Sequence, residues 1–266
     1  MRSNKELFDL TGQVAIVTGG AYGLGYQLAH SLGEAGANLV IAARKVDRCK
    51  ESAANLEREL GIKVLPARLD LTIPDEIDAL VEVVQKEYGK VDILVNNSGV
   101  VTYGRNEWEH SLENWRMILD TNLTGLWLMC QKFGSMMVRQ NYGRIINISS
   151  LTGMVGVPTH TISAPAYNAS KAAVLGLTRD LAVKWAKKGV TVNALVPGWF
   201  NSDMVEEFQS SKHLQKVFAD INKYYIPVGR FGSNDELKTA LMFLAAPGST
   251  YVTGISLIVD GGYYAQ

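Results

Sequence analysis

Short apolar runs alternate along the chain with longer segments in which apolar residues recur every three to four positions. The short runs have the length of strands, and they read "VAIVTGG", "NLVIAAR", "KVLPARLDL", "VDILVNNSG", "GRIINISS", "GVTVNALVPG" and "ISLIVDGG". They are continuously apolar rather than alternating, which is typical of parallel strands covered by helices on both faces. The pattern therefore predicts an α/β fold with a doubly wound parallel sheet of seven strands, whose ligands bind at the carboxyl ends of the strands.

The segments between these runs are predicted to be helices. They include "GLGYQLAHSLGEAG" after the first strand, a charged segment from about Asp47 to Leu60, and a segment around Glu76–Tyr88. No break in composition indicates a linker, and no internal repeat or low-complexity tract is present. Residues 1–266 are therefore expected to form a single domain.

The charge balance argues against nucleic acid as a partner. The chain has 26 basic and 26 acidic side chains, so it lacks the positive excess that binds a polyanion. Two scattered cysteines, Cys49 and Cys130, suit a reducing compartment. The first residues lack the apolar core of a signal peptide, no apolar run could cross a bilayer, and the histidines show no metal-binding spacing. We therefore expect a cytoplasmic protein without a membrane segment or a metal.

The stretch "PAYNASKAAVLGLTRDLA" places Tyr167 four residues before Lys171 in a segment with helical spacing of apolar residues. Residues four apart share a helix face, so the phenol and the ammonium are expected to be neighbours. A nearby cation favours the phenolate and is expected to lower the pKa of the tyrosine, which would make it a usable general acid or base. An ordinary surface pair is the alternative for such a short motif.

A glycine-rich segment, "TGGAYGLG", lies between the first strand and the first helix. Gly19, Gly23 and Gly25 permit a sharp turn and allow backbone N–H groups to approach a pyrophosphate at the helix N-terminus. Placed after the first strand of an α/β chain, this pattern predicts a dinucleotide site rather than a purely structural turn.

The end of the second strand bears on which dinucleotide binds. An acidic residue there would bind the ribose hydroxyls of NAD, but Ala43 occupies that place and is followed by Arg44 and Lys45. Arginine can hold a ribose 2′-phosphate through paired, charge-assisted hydrogen bonds. The segment favours NADP(H). The alternative is that both cations are solvated and that NAD(H) is also accepted.

Taken together, these motifs resemble the short-chain dehydrogenase/reductase family over nearly the whole chain. The segments that carry the resemblance are "TGGAYGLG", Asp70 after the third strand, "NNSG", "TNLTG", "INISS", "YNASK", "NALVPG" and "YVTGISLIVDGG". The resemblance implies a Rossmann fold and an oxidoreductase that transfers a hydride between a nicotinamide cofactor and a carbonyl or secondary alcohol. A non-catalytic, cofactor-sensing protein with the same fold is the alternative of a different class.

The resemblance also implies four catalytic residues. Tyr167 would exchange a proton with the substrate oxygen, and Lys171 would lower its pKa and bind the nicotinamide ribose. Ser150 would polarise the substrate oxygen, with Ser149 as the alternative serine. Asn122 would help to hold a proton-relaying water chain, or would merely cap or kink a helix.

The cofactor-binding residues implied by the resemblance lie at the ends of the strands. They are Gly19, Tyr22, Gly23, Leu24, Gly25, Arg44, Lys45, Asp70, Leu71, Asn97, Gly99, Tyr167, Lys171, Pro197, Gly198, Phe200 and Ser202. Asp70 would contact adenine, although a plain turn or cap role remains open. Ser202 stands where a threonine is usual, and its hydroxyl keeps the hydrogen-bonding capacity.

Two segments are expected to shape the substrate pocket. The loop between Ser150 and Tyr167 is longer than is common in the family, and His160 or Thr161 would touch substrate unless the loop is only an insertion at the surface. Residues at about 199–226 are interpreted as a helical lid, whose aromatic side chains form either a substrate wall or the core of the lid itself.

The pattern is similar to gluconate 5-dehydrogenases, which suggests a sugar acid or a polyol as the substrate, and also to 3-oxoacyl-carrier-protein reductases. Family members usually assemble through two apolar helices, here one around Leu123–Met137 and one that begins at Tyr167. A homotetramer or homodimer is therefore expected, with burial of these helices within one subunit as the alternative.

Overall fold

The computed structural model describes residues 1–104, 106–157, 163–201 and 212–266, except for the side chains of residues 212–214. The strands are β1 (Val14–Thr18), β2 (Asn38–Ala43), β3 (Val64–Arg68), β4 (Ile93–Asn96), β5 (Gly143–Ile148), β6 (Val190–Pro197) and β7 (Ser256–Val259). The helices are α1 (Asn4–Phe8), α2 (Gly23–Glu34), α3 (Val46–Leu60), α4 (Pro74–Tyr88), α5 (Leu112–Leu119), α6 (Leu126–Gln140), α7 (Pro165–Trp185), α8 (Lys212–Tyr224) and α9 (Asn234–Ala245).

The seven strands form one parallel sheet in the order β3-β2-β1-β4-β5-β6-β7. The chain winds outward in one direction from β1 to β3 and then in the other direction from β4 to β7. The point where the order reverses, between β1 and β4, opens a crevice at the carboxyl ends of these strands. The predicted doubly wound Rossmann fold is confirmed, and the crevice marks where a ligand is expected.

The central strands are buried on both faces. Every residue of β1, β4, β5 and β6 is buried, as their continuous apolar sequences predict. One apolar cluster packs α2, α3 and α9 against one face of the sheet, and a second packs α4, α6 and α7 against the other. The sheet is therefore a rigid layer on which the segments at its carboxyl edge are held.

Local sequence explains where several helices begin and end. Helix α9 starts with a capping box in which Ser233 and Glu236 satisfy each other's backbone groups. Helix α4 begins with Pro74, and Gly89, in the left-handed conformation, caps its C-terminus after Tyr88. In the parts of the chain that the structure describes, no helix combines the length and the apolar character that spanning a bilayer requires.

Part of the expected lid is described. Helix α8 buries Val217, Phe218 and Ile221 in a small cluster, against which Trp199 packs. The Trp199 and Phe218 rings meet edge to face, with their centres 5.8 Å apart. Phe218 therefore belongs to the core of the lid, which was one of the two alternatives for the aromatic residues of this segment. Residues 202–211, which include Ser202, lie outside the described residues.

Candidate active site

The glycine-rich turn between β1 and α2 has the backbone that the motif predicts. Gly19 and Gly23 adopt φ values of +68° and +55°, which favour glycine. A Cβ atom on Gly25 would lie 2.1 Å from the Gly19 carbonyl oxygen, so a side chain is excluded there. Leu24 faces the core, whereas Tyr22 is half exposed at the N-cap of α2. The turn has the open backbone that a pyrophosphate requires at a helix N-terminus.

The ends of β1 and β4 are joined beside this turn. Thr18 Oγ1 accepts hydrogen bonds from the N–H groups of Asn97 and Ser98, each at 3.0 Å. Asn97 Nδ2 donates back to the Thr18 carbonyl oxygen at 3.0 Å. Asn97 therefore fixes the width of the crevice through its own hydrogen bonds, and this is a role that the sequence did not reveal.

Basic side chains gather beyond the end of β2. Arg44 and Lys45 are both exposed, and the Arg44 carbonyl oxygen accepts a hydrogen bond from Arg68 at 3.3 Å. The guanidinium of Arg48, in the first turn of α3, lies 5.4 Å from the centre of the Tyr22 ring. Sequence reasoning missed Arg48. Its contact with Tyr22 brings a third cation to the glycine-rich turn.

Asp70 and Leu71 follow β3. Burial favours the neutral form of Asp70, but hydrogen bonds from Thr72 and the charges of Arg44 and Arg68 outweigh it, and the pKa of Asp70 is lowered. The turn role is thus realised, because Asp70 Oδ1 accepts from both the N–H and the hydroxyl of Thr72. The side chain of Leu71 is buried, and a Cβ atom on Gly125 would lie 2.5 Å from it.

Asn122 is fully buried in a π-helical turn, Asp120–Gly125, between α5 and α6. Its Oδ1 accepts from the Val100 N–H at 2.8 Å, and its Nδ2 donates to the Val100 carbonyl at 2.9 Å and to Ser170 Oγ at 3.1 Å. These bonds tie the segment after β4 to helix α7. Asn122 therefore lies at the site, and its side chain already uses its hydrogen bonds to hold these segments together.

The structure distinguishes the two consecutive serines after β5. Ser149 is buried, and its hydroxyl donates to the main-chain carbonyl of Lys171 at 2.8 Å. Ser150 faces a cavity that Tyr167 also lines. Successive residues of an extended segment point to opposite sides, which explains why only one of them can reach the cavity.

Tyr167 and Lys171 share one face of α7, as their spacing predicts. Lys171 is almost completely buried, and its ammonium donates to the Ile148 carbonyl at 2.8 Å and lies 5.6 Å from the centre of the Tyr167 ring. A Cβ atom on Gly99 would lie 3.4 Å from Lys171 Nζ and 3.5 Å from Asn122 Oδ1. Gly99, Asn122 and Lys171 thus meet at the carboxyl edge of the sheet.

The expected direction of the Tyr167 pKa is wrong in this structure. Burial raises the pKa of Tyr167, and the hydrogen bond with Ser150 offsets only part of that effect. Burial also lowers the pKa of Lys171 to about 8. The physical reason is that both groups lie at the edge of a dense core, where loss of solvent disfavours the charged form of each. The phenol is consequently neutral at pH 7.

The cavity at this site combines a polar floor with apolar walls. It is lined by Val101, Tyr103, Ser150, Leu151, Thr152, Val157, Ala164, Tyr167, Asn168, Gly198, Trp199 and Phe200. None of these described lining residues has a charged side chain. Sequence reasoning missed Thr152 and Tyr103, which occur outside any motif, and it also missed Asn168, which lies within "YNASK" but was assigned no role.

The segment after β6 closes the cavity. Pro197 ends the strand, and a Cβ atom on Gly198 would lie 2.7 Å from Asp260 Cβ, so glycine is required there. Phe200 is buried against Gly232 and lines the cavity. The proposed substrate contacts His160 and Thr161 lie outside the described residues, as does Ser202.

Comparison with known proteins agrees with this architecture. Residues 19–264 match the family model described as enoyl-(acyl carrier protein) reductase. The chain is 35% identical to the 2-dehydro-3-deoxy-D-gluconate 5-dehydrogenase of Dickeya dadantii over 260 residues, which cover 97% of this chain and 98% of the relative. It is 34% identical to the 3-oxoacyl-[acyl-carrier-protein] reductase of Synechocystis over 254 residues, with 95% and 97% covered.

A solved structure is similar over almost the whole chain. The crystal structure of a gluconate 5-dehydrogenase from Burkholderia cenocepacia, in complex with NADP and tartrate, aligns with a TM-score of 0.91 at 31% identity. The alignment covers 99% of this chain and 100% of that one.

Proposed function

Because this chain belongs to the short-chain dehydrogenase/reductase family, we propose that it transfers a hydride between NADP(H) and a carbonyl or secondary alcohol, with Tyr167, Lys171, Ser150 and Asn122 as its catalytic residues. The observation that supports this most is the shared cavity of Ser150 and Tyr167, with Lys171 buried beneath it. When bound, the nicotinamide ring supplies or accepts the hydride.

Tyr167 supplies the proton in the direction of reduction. Because burial raises its pKa, the phenol is protonated at neutral pH and can donate to the oxygen of a carbonyl substrate. Ser150 donates a hydrogen bond to the same oxygen and stabilises the charge that develops on it. In the direction of oxidation the phenol must first lose its proton. The rate of alcohol oxidation is therefore expected to rise with pH.

Lys171 returns a proton to Tyr167 after each reduction, and Asn122 holds the segments around Lys171 in place. The Lys171 pKa of about 8 allows this side chain to exchange protons near neutrality. Asn122 keeps the Val100 main chain and Ser170 in place around it. We also propose a water chain that carries protons between Lys171 and solvent. This part of the proposal rests on the resemblance to the family.

NADP(H) is the proposed cofactor, with NAD(H) as a weaker alternative. The glycine-rich turn fits a pyrophosphate, and Arg48 contacts Tyr22 of this turn. Arg44 and Lys45 are exposed cations directly after β2 that can supply further positive charge to a ribose phosphate. The relative from Burkholderia cenocepacia was crystallised with NADP. The remaining cofactor residues named from the sequence stay predictions.

For the substrate, we propose a polyol or the corresponding hydroxyketone. Thr152 and Asn168 offer hydrogen bonds to hydroxyl groups beside the reacting carbon. A sugar acid is the second candidate, since relatives include a gluconate-type dehydrogenase. A 3-oxoacyl thioester is the third, which the Synechocystis relative and the apolar walls favour.

We propose a single domain and a homo-oligomer formed through α6 and α7. An apolar groove between these helices is lined by Trp127, Gln131, Ser135, Val138, Arg139, Leu181 and Trp185. Trp127 is 42% exposed, so this groove would bury apolar surface on assembly. Light scattering on the purified protein tests this: a dimer or tetramer is expected, and a monomer at all concentrations would contradict it. The cytoplasmic location stays a prediction.

The decisive experiment follows nicotinamide absorbance with polyols, sugar acids, ketones and acyl thioesters, and with both cofactors. Turnover should require a carbonyl or secondary alcohol, and Tyr167→Phe should lower kcat by about 10²–10⁴-fold while NADPH still binds. Cofactor binding without turnover of any substrate would favour the sensor alternative.

The same assay tests the cofactor assignment. Arg44→Ala should raise the KM for NADPH by about 10–100-fold and leave that for NADH unchanged, because only NADPH loses a charge-assisted hydrogen bond. Lys50→Ala is the matched control, since Lys50 is an exposed cation of α3 that pairs with Asp47. Equal effects on both cofactors would remove Arg44 from the phosphate site.

A further inference from the structure

Thr152 contacts the Ser150 hydroxyl in two ways. The Thr152 N–H donates to Ser150 Oγ at 3.3 Å, and the two hydroxyl oxygens lie 3.1 Å apart. Both residues line the cavity with Tyr167, and Ser150 is the N-cap of the short 3₁₀ turn Leu151–Gly153. The Ser150 hydroxyl therefore has a fixed neighbour besides Tyr167.

The hydrogen-bonding capacity of a serine hydroxyl is limited to one hydrogen and two lone pairs. The Thr152 N–H occupies one lone pair of Ser150. If the Thr152 hydroxyl also donates, it occupies the other, and Ser150 retains only its hydrogen. That hydrogen is then directed to its remaining neighbour, Tyr167, or to a substrate oxygen between them.

We propose that Thr152 is a positioning residue that fills the acceptor positions of Ser150 and thereby directs the Ser150 hydrogen toward Tyr167 and the substrate oxygen. This inference rests on the proposed function of the site. Thr152 acts through Ser150 in this proposal. The proposal excludes the opposite direction, in which the Ser150 hydroxyl donates its hydrogen bond to Thr152 and has none left for the substrate.

Removing the Thr152 hydroxyl has a definite consequence for Tyr167. With a free lone pair, Ser150 can accept a hydrogen bond from the phenol, which stabilises the neutral form of Tyr167 and raises its pKa further. The titratable groups that surround Tyr167 in the described part of the chain are Lys171 on its own helix and Tyr103 across the cavity. Neither is altered by a substitution of Thr152.

The kinetic test compares Thr152→Val, Thr152→Ser and Ser150→Ala, singly and combined. Thr152→Val should lower kcat by about tenfold with little change in KM, and Thr152→Ser should restore it. In the Ser150→Ala background, Thr152→Val should have no further effect, because its route to the substrate is gone. Additive losses would overturn the proposal, since they would mean that Thr152 acts on the substrate or the fold directly.

Thr191→Val is the matched control. Thr191 lies at the opposite, amino end of β6, and its hydroxyl is buried without a hydrogen-bond partner in the described part of the chain. It should leave kcat, KM and the Tyr167 pKa unchanged. A loss in this variant equal to that of Thr152→Val would attribute both losses to threonine substitution in general.

A second measurement does not depend on turnover. Nuclear magnetic resonance of protein labelled with ¹³C at the tyrosine Cζ atoms, assigned with Tyr167→Phe, follows the Tyr167 pKa without cofactor or substrate. Thr152→Val should raise that pKa by about 0.5–1 pH unit, and Thr152→Ser should not. An unchanged pKa would overturn the positioning role even if no substrate were found. Failure of the wild-type protein to turn over any substrate would count against the proposed function alone.

Discussion

Strand β5 has a buried cation at each of its ends, and the two cations have different surroundings. At the carboxyl end, Lys171 is 3% exposed and donates to the Ile148 carbonyl. At the amino end, Arg144 is 1% exposed and donates to the carbonyls of Gly143, Ala246 and Pro247, at 3.0, 3.3 and 3.5 Å. Neither uses a carboxylate at these contacts, so each charge is balanced by main-chain dipoles.

The difference lies in what each cation can do with its proton. Burial lowers the pKa of both, but the lysine pKa falls to about 8, whereas a guanidinium starts far above neutrality and stays charged. Arg144 also stacks on the Tyr142 ring and holds the carbonyls that follow α9, whose C-terminus favours a positive charge. Lys171 instead lies beside Tyr167, whose phenol lines the cavity. The same burial therefore yields a titrating group at one end and a permanent structural charge at the other.

Replacing each cation with methionine should separate these roles, and the largest effect is on catalysis. Lys171→Met should lower kcat/KM by about 10²–10³-fold, because the proton route and the support of Tyr167 are both lost. Arg144→Met should change kcat/KM per folded molecule by less than about twofold. Steady-state kinetics on both variants measures this. A large catalytic loss in Arg144→Met would mean that the two ends of β5 are coupled.

The second effect is on stability, and its order should reverse. Arg144→Met removes the guanidinium donor from three carbonyls, of which Ala246 keeps a hydrogen bond from the Ser249 N–H. The free energy of unfolding should fall by about 2–3 kcal/mol. Lys171→Met removes a buried charge and leaves one carbonyl unpaired, so it should be about as stable as the wild type or more so. Urea unfolding at neutral pH measures both values. A clear destabilisation of Lys171→Met would show that the ammonium stabilises the fold.

The comparison also shows which features sequence could predict. Apolar periodicity was enough for the seven strands and for α7, and the four-residue spacing placed Tyr167 and Lys171 on one face. The direction of the Tyr167 pKa could not be predicted, because it depends on solvent lost when β5, α7 and the segment after β6 come together. Arg48 and Thr152 belong to no motif, and only the fold brings them to the site. Asn168 lies within "YNASK", but only the fold shows that it lines the cavity. Ser149 and Ser150 are the same residue type in adjacent positions, and only the direction in which the extended segment points each side chain distinguishes them.

The smallest predicted effect is the pH dependence of stability. The Lys171 pKa is about 8 in the folded protein and 10.5 for an unperturbed lysine. Between these values the unfolded chain binds more protons than the folded one. The penalty for burying the ammonium is therefore full below pH 8, declines as the pH rises above 8, and is gone only above the unfolded pKa of 10.5. The stability of the wild type relative to Lys171→Met should therefore increase by about 1–2 kcal/mol between about pH 7.5 and 9.5.

Arg144 provides the control for that measurement, because a guanidinium does not titrate in this range. The stability difference between the wild type and Arg144→Met should stay constant while the difference for Lys171→Met changes. Urea unfolding of the three proteins at each pH cancels the titration of other groups, since those are common to all of them. If both differences stayed flat, the Lys171 ammonium would have to keep an ordinary pKa. It would then remain charged beside the phenol, and its contribution to the reaction would be that of a fixed charge, as Arg144 is at the other end of the strand.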